Sequence, residues 1–315
     1  EAVMAHNNRN GGMELRILRY FLAVVEEQSI TGAAEYLGMS QPSLSRQLRE
    51  FESRLGCTLF ERGSRTITLT PEGELLRERA EEIVTLADRA EAEITSMEEP
   101  VGGPVYIGAG ETDAMRLLAR AARAMTSCYP QARFHIYSGN TEDVTSRLDS
   151  GLLDFALLFE PYDTTKYAYI TLPVCDVWGV MMRRDDPLAA RESITVDDLK
   201  RLPLIVSQET RFDREFGAWS GMGQSDLRVV GTYNLLNNGA LMVSEGLGYA
   251  LCLDRIVNVT GDTNLTFRPL SPRLEARLNV VWKSDRRFTR VAACFLQALR
   301  EELAASAIAP GPSRI

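Results

Sequence analysis

Residues 29–73 read SITGAAEYLGMSQPSLSRQLREFESRLGCTLFERGSRTITLTPEG, and this stretch decides the fold of the N-terminal part. Ser29 is placed to cap a helix over about 30–37 that offers Ile30, Ala33, Ala34 and Leu37 to a core. Two adjacent alanines let a crossing helix come close. Gly38 permits a turn, Ser40 can cap the next helix, and Pro42 falls in its first turn, where a missing N–H costs nothing. That helix, to about Arg54, turns Leu44, Leu48, Phe51 and Leu55 inward at helical spacing. Gln41, Ser43, Ser45, Arg46 and Arg49 occupy the other face. Short hydrogen-bonding groups beside arginines suit base edges and phosphates in a major groove. An ordinary solvated face has a similar composition; the helix, four-residue turn and helix favour the groove reading.

Outward from this stretch, Leu15, Leu18, Phe21, Leu22 and Val25 predict a first helix over about 14–27. Downstream of Gly56, Leu59 and Phe60, a loop with Arg62 and Arg65, and the alternating run Thr66–Leu69 predict a two-stranded wing. The loop arginines are placed to pair with phosphates.

The stretch resembles the winged helix-turn-helix of LysR-type transcriptional regulators. The likeness is carried by Ala33 and Ala34, the SQPSLSRQL run from Ser40, Gly56, Leu59-Phe60, Arg62, and Thr70 with Gly73. Phe51 departs from it, standing where the family most often has leucine. The resemblance implies that Gln41, Ser43 and Arg46 contact bases or backbone, and that Arg62 and Arg65 lie near the minor groove or phosphates.

Beyond Thr70 and Pro71, the apolar positions Leu76, Ala80, Ile83, Ala87, Ala90, Ile94 and Met97 follow spacings of 4, 3, 4, 3, 4 and 3. That is a heptad seam on a helix about 40 Å long. Residues 71–99 hold three arginines against ten acids, while residues 13–70 balance at seven of each. The acidic faces keep the long helix soluble and away from phosphates. A single apolar stripe needs a partner, either the chain's own C-terminal domain or a second copy. Homodimerisation is the better reading, because two-fold protein symmetry matches palindromic DNA. Pro100, Gly102, Gly103 and Pro104 end the helix as a hinge.

In residues 101–315 strand-like runs alternate with helical patterns, which predicts α/β packing around parallel sheets. The strands expected are 105–109, 132–137, 155–159, 178–182, 204–207, 227–230, 249–253 and 278–282. The helices expected are 113–126, 141–150, 195–200, 209–219, 234–244 and 288–304. GLLDFALL (151–158), Pro187-Leu188, ITVDDLKRLPLI and VSEGLGYALCL resemble the effector-binding region of the same regulators. The resemblance implies the following architecture. An all-α-rich winged helix-turn-helix domain (13–70) precedes a dimerisation helix (71–98) and a periplasmic-binding-protein-like α/β effector domain of two lobes (101–304). Crossovers near 171–176 and 271–277 would divide lobe one, about 101–172 with 276–304, from lobe two, about 173–275.

An effector would lie between the lobes, at strand-to-helix turns that expose N–H groups. Glu111 and Thr112, Ser138 and Phe159, Ser207 and Gln208, and Tyr233 and Asn234 are the candidates; each could equally serve as a cap or a surface hydrogen bonder. A carboxylate at Glu111 would repel an anion unless protonated or paired, and would suit a cationic amino compound. Arg211 or Arg214 could offset it.

At 315 residues with 45% hydrophobic and 25% charged residues, the chain can build about two cored domains. Its apolar runs are far shorter than the roughly 20 residues a membrane span needs. The opening EAVMAHNNRNGG is polar and does not read as a signal peptide, so the folded part is expected to start near Met13. Five widely spaced cysteines without a CxxC pair, and two histidines, His6 and His135, speak against a Cys/His zinc site and for reduced thiols in the cytoplasm. GxSxG, GxGxxG and phosphate-loop patterns are absent from the sequence, and no acid pair falls in a catalytic motif. A transcriptional regulator, not an enzyme, is expected, with no cofactor. The partners expected are a partly palindromic double-stranded DNA site, a small effector, a second copy or a tetramer, and RNA polymerase. A solute-binding protein would need no DNA-reading head. A dimer that binds no DNA is the remaining alternative.

Overall fold

The computed structural model describes residues 13–61, 67–95, 101–208, 212–221 and 226–308. They divide into two compact units at residues 98/99. Each is described by itself.

In the first unit α1 (Leu15–Glu27), α2 (Ile30–Tyr36) and α3 (Gln41–Leu55) bring their apolar stripes together. Leu18, Phe21, Val24, Ala33 and Leu44 are fully buried there. The Ser29 hydroxyl accepts from the Gly32 N–H at 3.2 Å and starts α2. Ser40 stands at the N-cap of α3 but makes no such bond, so that cap is positional only. The expected inward stripe of α3 is right through Phe51 and ends there, because Leu55 is 41% exposed. Gly56, at φ 73°, turns the chain out of the helix in a conformation few other residues adopt.

The short strands β1 (Phe60–Glu61) and β2 (Thr68–Leu69) pair antiparallel. Thr70 then starts α4 (Pro71–Thr95): its hydroxyl donates to the Thr58 carbonyl at 2.7 Å and accepts from the Gly73 N–H at 3.1 Å. A Cβ on Gly73 would come within 2.2 Å of the Leu59 carbonyl oxygen, so no side chain fits at this crossing. The first part of α4 packs onto α1, burying Leu76 and Ala80 in the core of this unit. Those two positions therefore do not belong to an open seam, whereas Ile83 and Ile94 are 42% and 71% exposed.

The second unit is built on β3 (Gly103–Ala109), α5 (Met115–Cys128), β4 (Ala132–Ser138), α6 (Thr141–Asp149), β5 (Phe155–Phe159) and β6 (Tyr167–Arg183). It continues through a 3-10 turn (Pro187–Ala190), β7 (Ile194–Thr195), α7 (Val196–Leu199), β8 (Leu204–Ser207), α8 (Phe212–Ser220) and β9 (Val229–Tyr233). Then follow α9 (Leu236–Ser244), β10 (Tyr249–Leu253), β11 (Leu265–Ser271), β12 (Glu275–Lys283) and α10 (Arg290–Ile308). The strands order β4-β3-β5-β12-β6-β10-β8-β9, with β11 on β6 and β7 on β11. Parallel pairs β3–β4, β3–β5, β8–β9 and β8–β10 form the two lobes.

The seam between the lobes is β6. It pairs with β12 from Tyr167 to Val177, and from Trp178 onward with β10 and β11. The strand expected over 178–182 and the crossover expected near 171–176 are parts of one 17-residue strand. β7 and β11 were not expected at all. Helices α5 and α10 cover one face of the first lobe and α6 the other. Packing on both faces explains why FALLF (155–159) is apolar without alternation. Among the buried polar groups, Asn279 Oδ1 and Trp178 Nε1 have no partner among the described residues, whereas Asp154 is satisfied. Asp154 is 2% exposed, accepts from the Tyr106 N–H at 2.8 Å and pairs with Arg286 at 3.3 Å. Thr195 and Asp198 close a reciprocal capping box on α7; the Thr195 hydroxyl, and then Arg191, hold the Asp198 carboxyl below the usual range.

Candidate functional site

On the first unit, α3 presents Gln41, Arg46 and Arg49 exposed, with Ser43 half-buried. Arg46, Arg49, Glu50, Ser53 and Arg54 line one shallow open groove. Arg46 is 74% exposed and only loosely paired with Glu50 at 3.9 Å, so its charge is available. Ser45 is a correction to the sequence reading. It is 8% exposed, and its hydroxyl accepts from Arg49 Nη2 at 2.7 Å. At 100° per residue it lies about 60° beyond Leu48, beside the buried Glu52 at the margin of the apolar arc, so its role is to steer Arg49. Arg62 and Arg65 lie outside the described residues.

Sequence reasoning passed over Glu52. It is 6% exposed, and its carboxylate accepts from the N–H groups of Leu59 at 2.8 Å and Phe60 at 3.4 Å. This fastens the start of the wing to α3. The Ile67 N–H donates to the Gln28 carbonyl at 3.1 Å and docks the returning strand on the α1–α2 turn.

In the second unit, Glu111, Phe159, Ser207, Tyr233 and Asn234 line one inter-lobe cavity of about 100 Å³. Glu111, Ser138, Gln208 and Asn234 line a wider cleft of about 900 Å³. Gly110, Glu111 and Asn234 belong to both walls. The Glu111 carboxylate crosses between the lobes and accepts, through Oε2, the Leu236 N–H at the start of α9, whose N-cap residue Leu235 offers no side-chain bond. Tyr233 contributes its ring only, because its hydroxyl donates to the Leu251 carbonyl at 2.9 Å. Gln208 Nε2 donates to the Thr232 hydroxyl at 3.3 Å.

Thr112 is a second correction. It lines neither space; its hydroxyl donates to Asp176, which is 1% exposed on β6. Burial, opposed by that hydrogen bond and reinforced by Asp254, pushes the Asp176 carboxyl up to about 6. Beside it, Asp254 accepts from the Val177 N–H at 2.9 Å, and Arg255 bridges Asp254 at 3.0 Å and Asp113 at 3.5 Å. The inner cavity also contains residues sequence reasoning missed: Trp178, Phe216, Leu253, Ile256, Leu274 and Ala276. Reading Trp178 as part of a strand shared by both lobes would have placed it between them. His135 is exposed and stacks on Tyr106 with ring centroids 5.0 Å apart, which gives it no cleft role.

Two family descriptions match the chain: "Bacterial regulatory helix-turn-helix protein, lysR family" over residues 15–74 and "LysR substrate binding domain" over residues 98–304. The protein belongs to the LysR family. It is therefore a DNA-binding transcriptional regulator and not an enzyme. The HTH-type transcriptional regulator CysL of Bacillus subtilis is 30% identical over 200 residues, 64% of this chain and 67% of CysL. BenM of Acinetobacter baylyi is 39% identical over 142 residues, 45% of this chain and 46% of BenM. These matched stretches span about half to two thirds of the relatives' lengths. The solved structure of CbnR, a LysR family transcriptional regulator, shares 18% identity at a TM-score of 0.72, over 92% of this chain and 99% of that one. At that identity the LysR-type likeness is one of fold. Among the described residues no helix is long and apolar enough to cross a membrane.

Proposed function

We propose that this LysR-type regulator reads a partly palindromic promoter site with the exposed side of α3, under control of a small effector held between two α/β lobes. The observation that carries the reading is the open groove of α3, where Arg46, Arg49 and Arg54 stand exposed above a buried apolar arc. Gln41, Ser43 and Arg46 supply base or backbone contacts, Arg49 a phosphate contact, and Arg62 and Arg65 of the wing loop further phosphate contacts. Residues 13–70 form the reading head, 71–98 the dimerisation helix, and 101–304 the effector domain, with lobe one about 101–172 and 276–304 and lobe two about 173–275. The exposed Ile83 and Ile94 of α4 support pairing with a second copy; further association into a tetramer and contact with RNA polymerase complete the reading. An effector acts by binding one lobe arrangement better than another.

The test is a gel-shift series on selected genomic fragments at fixed salt. Arg46→Ala is expected to weaken specific binding by about 1–3 kcal/mol, roughly five- to 150-fold, with the oligomer unchanged. Unchanged affinity in both Arg46→Ala and Gln41→Ala would remove α3 as the reading helix.

A further inference from the structure

The inner cavity is lined by one carboxylate, the polar Ser207 and Asn234, Trp178 with its unpartnered N–H, and otherwise mostly apolar side chains. Glu111 is the only charged group lining it among the described residues. Its Oε2 accepts the Leu236 N–H, and no described group bonds Oε1. Trp178 also lines the cavity, and its indole Nε1 is buried without a partner among the described residues. A buried N–H left without an acceptor is costly, and a bound molecule that accepts from it removes the cost. Phe159, Phe216 and Tyr233 supply aromatic wall, and aromatic faces attract cations. In the wider cleft outside, Glu111, Glu142, Asp143, Asp149 and Asp163 face Lys166, the single base lining it among the described residues. That field draws in cations and repels anions.

We propose that the ligand of this cavity is a small primary amine that carries a compact apolar body and one hydrogen-bond acceptor. The inference rests on the inter-lobe effector reading above and specifies its chemistry. The ammonium pairs with Glu111 Oε1 and leaves the bond to Leu236 intact. The acceptor takes the Trp178 N–H. A cavity of about 100 Å³ limits the apolar body to a short branched alkyl chain or a small ring. An anion placed here would stand against Glu111 with no base among the described wall residues to offset it; Arg211 and the Arg214 side chain lie outside the described residues.

The test uses the purified full chain and three probes with the same branched alkyl body: leucinamide (cation with an amide carbonyl), 4-methylpentanamide (neutral) and 4-methylpentanoate (anion). Thermal unfolding is followed with each probe at about 10 mM. Leucinamide is expected to raise Tm by about 4 °C, the neutral amide by less, and the anion not at all. Glu111→Gln is expected to remove the preference for the cation. Trp178→Phe is expected to weaken leucinamide binding about fivefold. Glu111→Gln is isosteric, Trp178→Phe removes the pyrrole part of the ring, and circular dichroism confirms the fold of both. Stabilisation by 4-methylpentanoate alone, lost in Trp178→Phe, overturns the amine class and leaves the cavity as the effector site. Stabilisation by leucinamide that persists undiminished in both variants places binding elsewhere and overturns the inter-lobe reading itself. No stabilisation by any probe also overturns the amine class.

Discussion

Glu52 interrupts an apolar arc on α3, yet it is one of the most constrained side chains of the head, since two wing N–H groups depend on it. Charge-assisted hydrogen bonds of this kind contribute about 1.5–3 kcal/mol. Glu52→Ala is therefore expected to lower head stability by about 2–3 kcal/mol in urea unfolding; a loss below roughly 0.5 kcal/mol would show the carboxylate to be dispensable. Asp176 makes the opposite kind of prediction. Its carboxyl sits at about 6 when folded, against 3.8 as the ordinary value, so the native state holds the proton more tightly. This contribution is fully present below about pH 4 and disappears as pH rises through 6. Between about pH 4 and about pH 7 the wild type should lose up to about 3 kcal/mol relative to Asp176→Asn, whose amide oxygen still accepts from Thr112. Parallel stability curves would refute that. Neither residue was legible in the sequence. A carboxylate among leucines on a helix, or on a strand, looks like any solvated acid until the N–H groups that need it are placed around it. Ser45 misled for a related reason: a small polar residue at the margin of an apolar arc has no pattern that tells its side.

At the level of elements, periodicity succeeded where one face is apolar and failed where an element serves two bodies. The spacing of α1, α2 and α3 was legible because their apolar stripes are narrow and continuous. The heptad on α4 was legible as a period, but period alone does not say what covers it. Leu76 and Ala80 go to the head core, and Ile83 and Ile94 stay exposed. Leu76→Ala is expected to destabilise the head by about 2–4 kcal/mol without altering assembly. Ile94→Asp is expected to do the reverse, leaving the melt unchanged and shifting sedimentation toward monomer. If the two variants behaved alike, the division of α4 into a head part and a pairing part would be wrong. By pattern alone only the second half of β6 reads as a strand, because only that half is an unbroken apolar run; the crossover near 171–176 comes from the family resemblance and is not joined to it. Its first half, YAYITLPVCD, is half exposed and pairs along β12 alone.

Across the whole chain, composition and the quoted stretch were enough to separate a helical head from an α/β body. The inner cavity was only half legible. Its turn residues follow strand ends and can be found by rule, whereas Trp178, Phe216, Ile256 and Leu274 converge from separate elements and carry no local signal. The head has its own buried core, and α4 contributes to it. Residues 13–95 expressed alone are therefore expected to give a helical circular dichroism spectrum and a cooperative melt. A broad, non-cooperative loss of signal would mean that the head borrows stability from the rest of the chain.

The uninterrupted run of β6 through both lobes has a mechanical consequence. A loop between two bodies swings freely; a hydrogen-bonded ribbon resists, and its resistance grows with the angle through which it is twisted. The two lobes of this molecule are joined by such a ribbon, so on the proposed reading a molecule bound between them would act by twisting a hydrogen-bonded strand instead of throwing a latch. Signals sent through it should be graded, and substitutions along Cys175–Trp178 should retune their strength while leaving the grip on the entering molecule largely as it was.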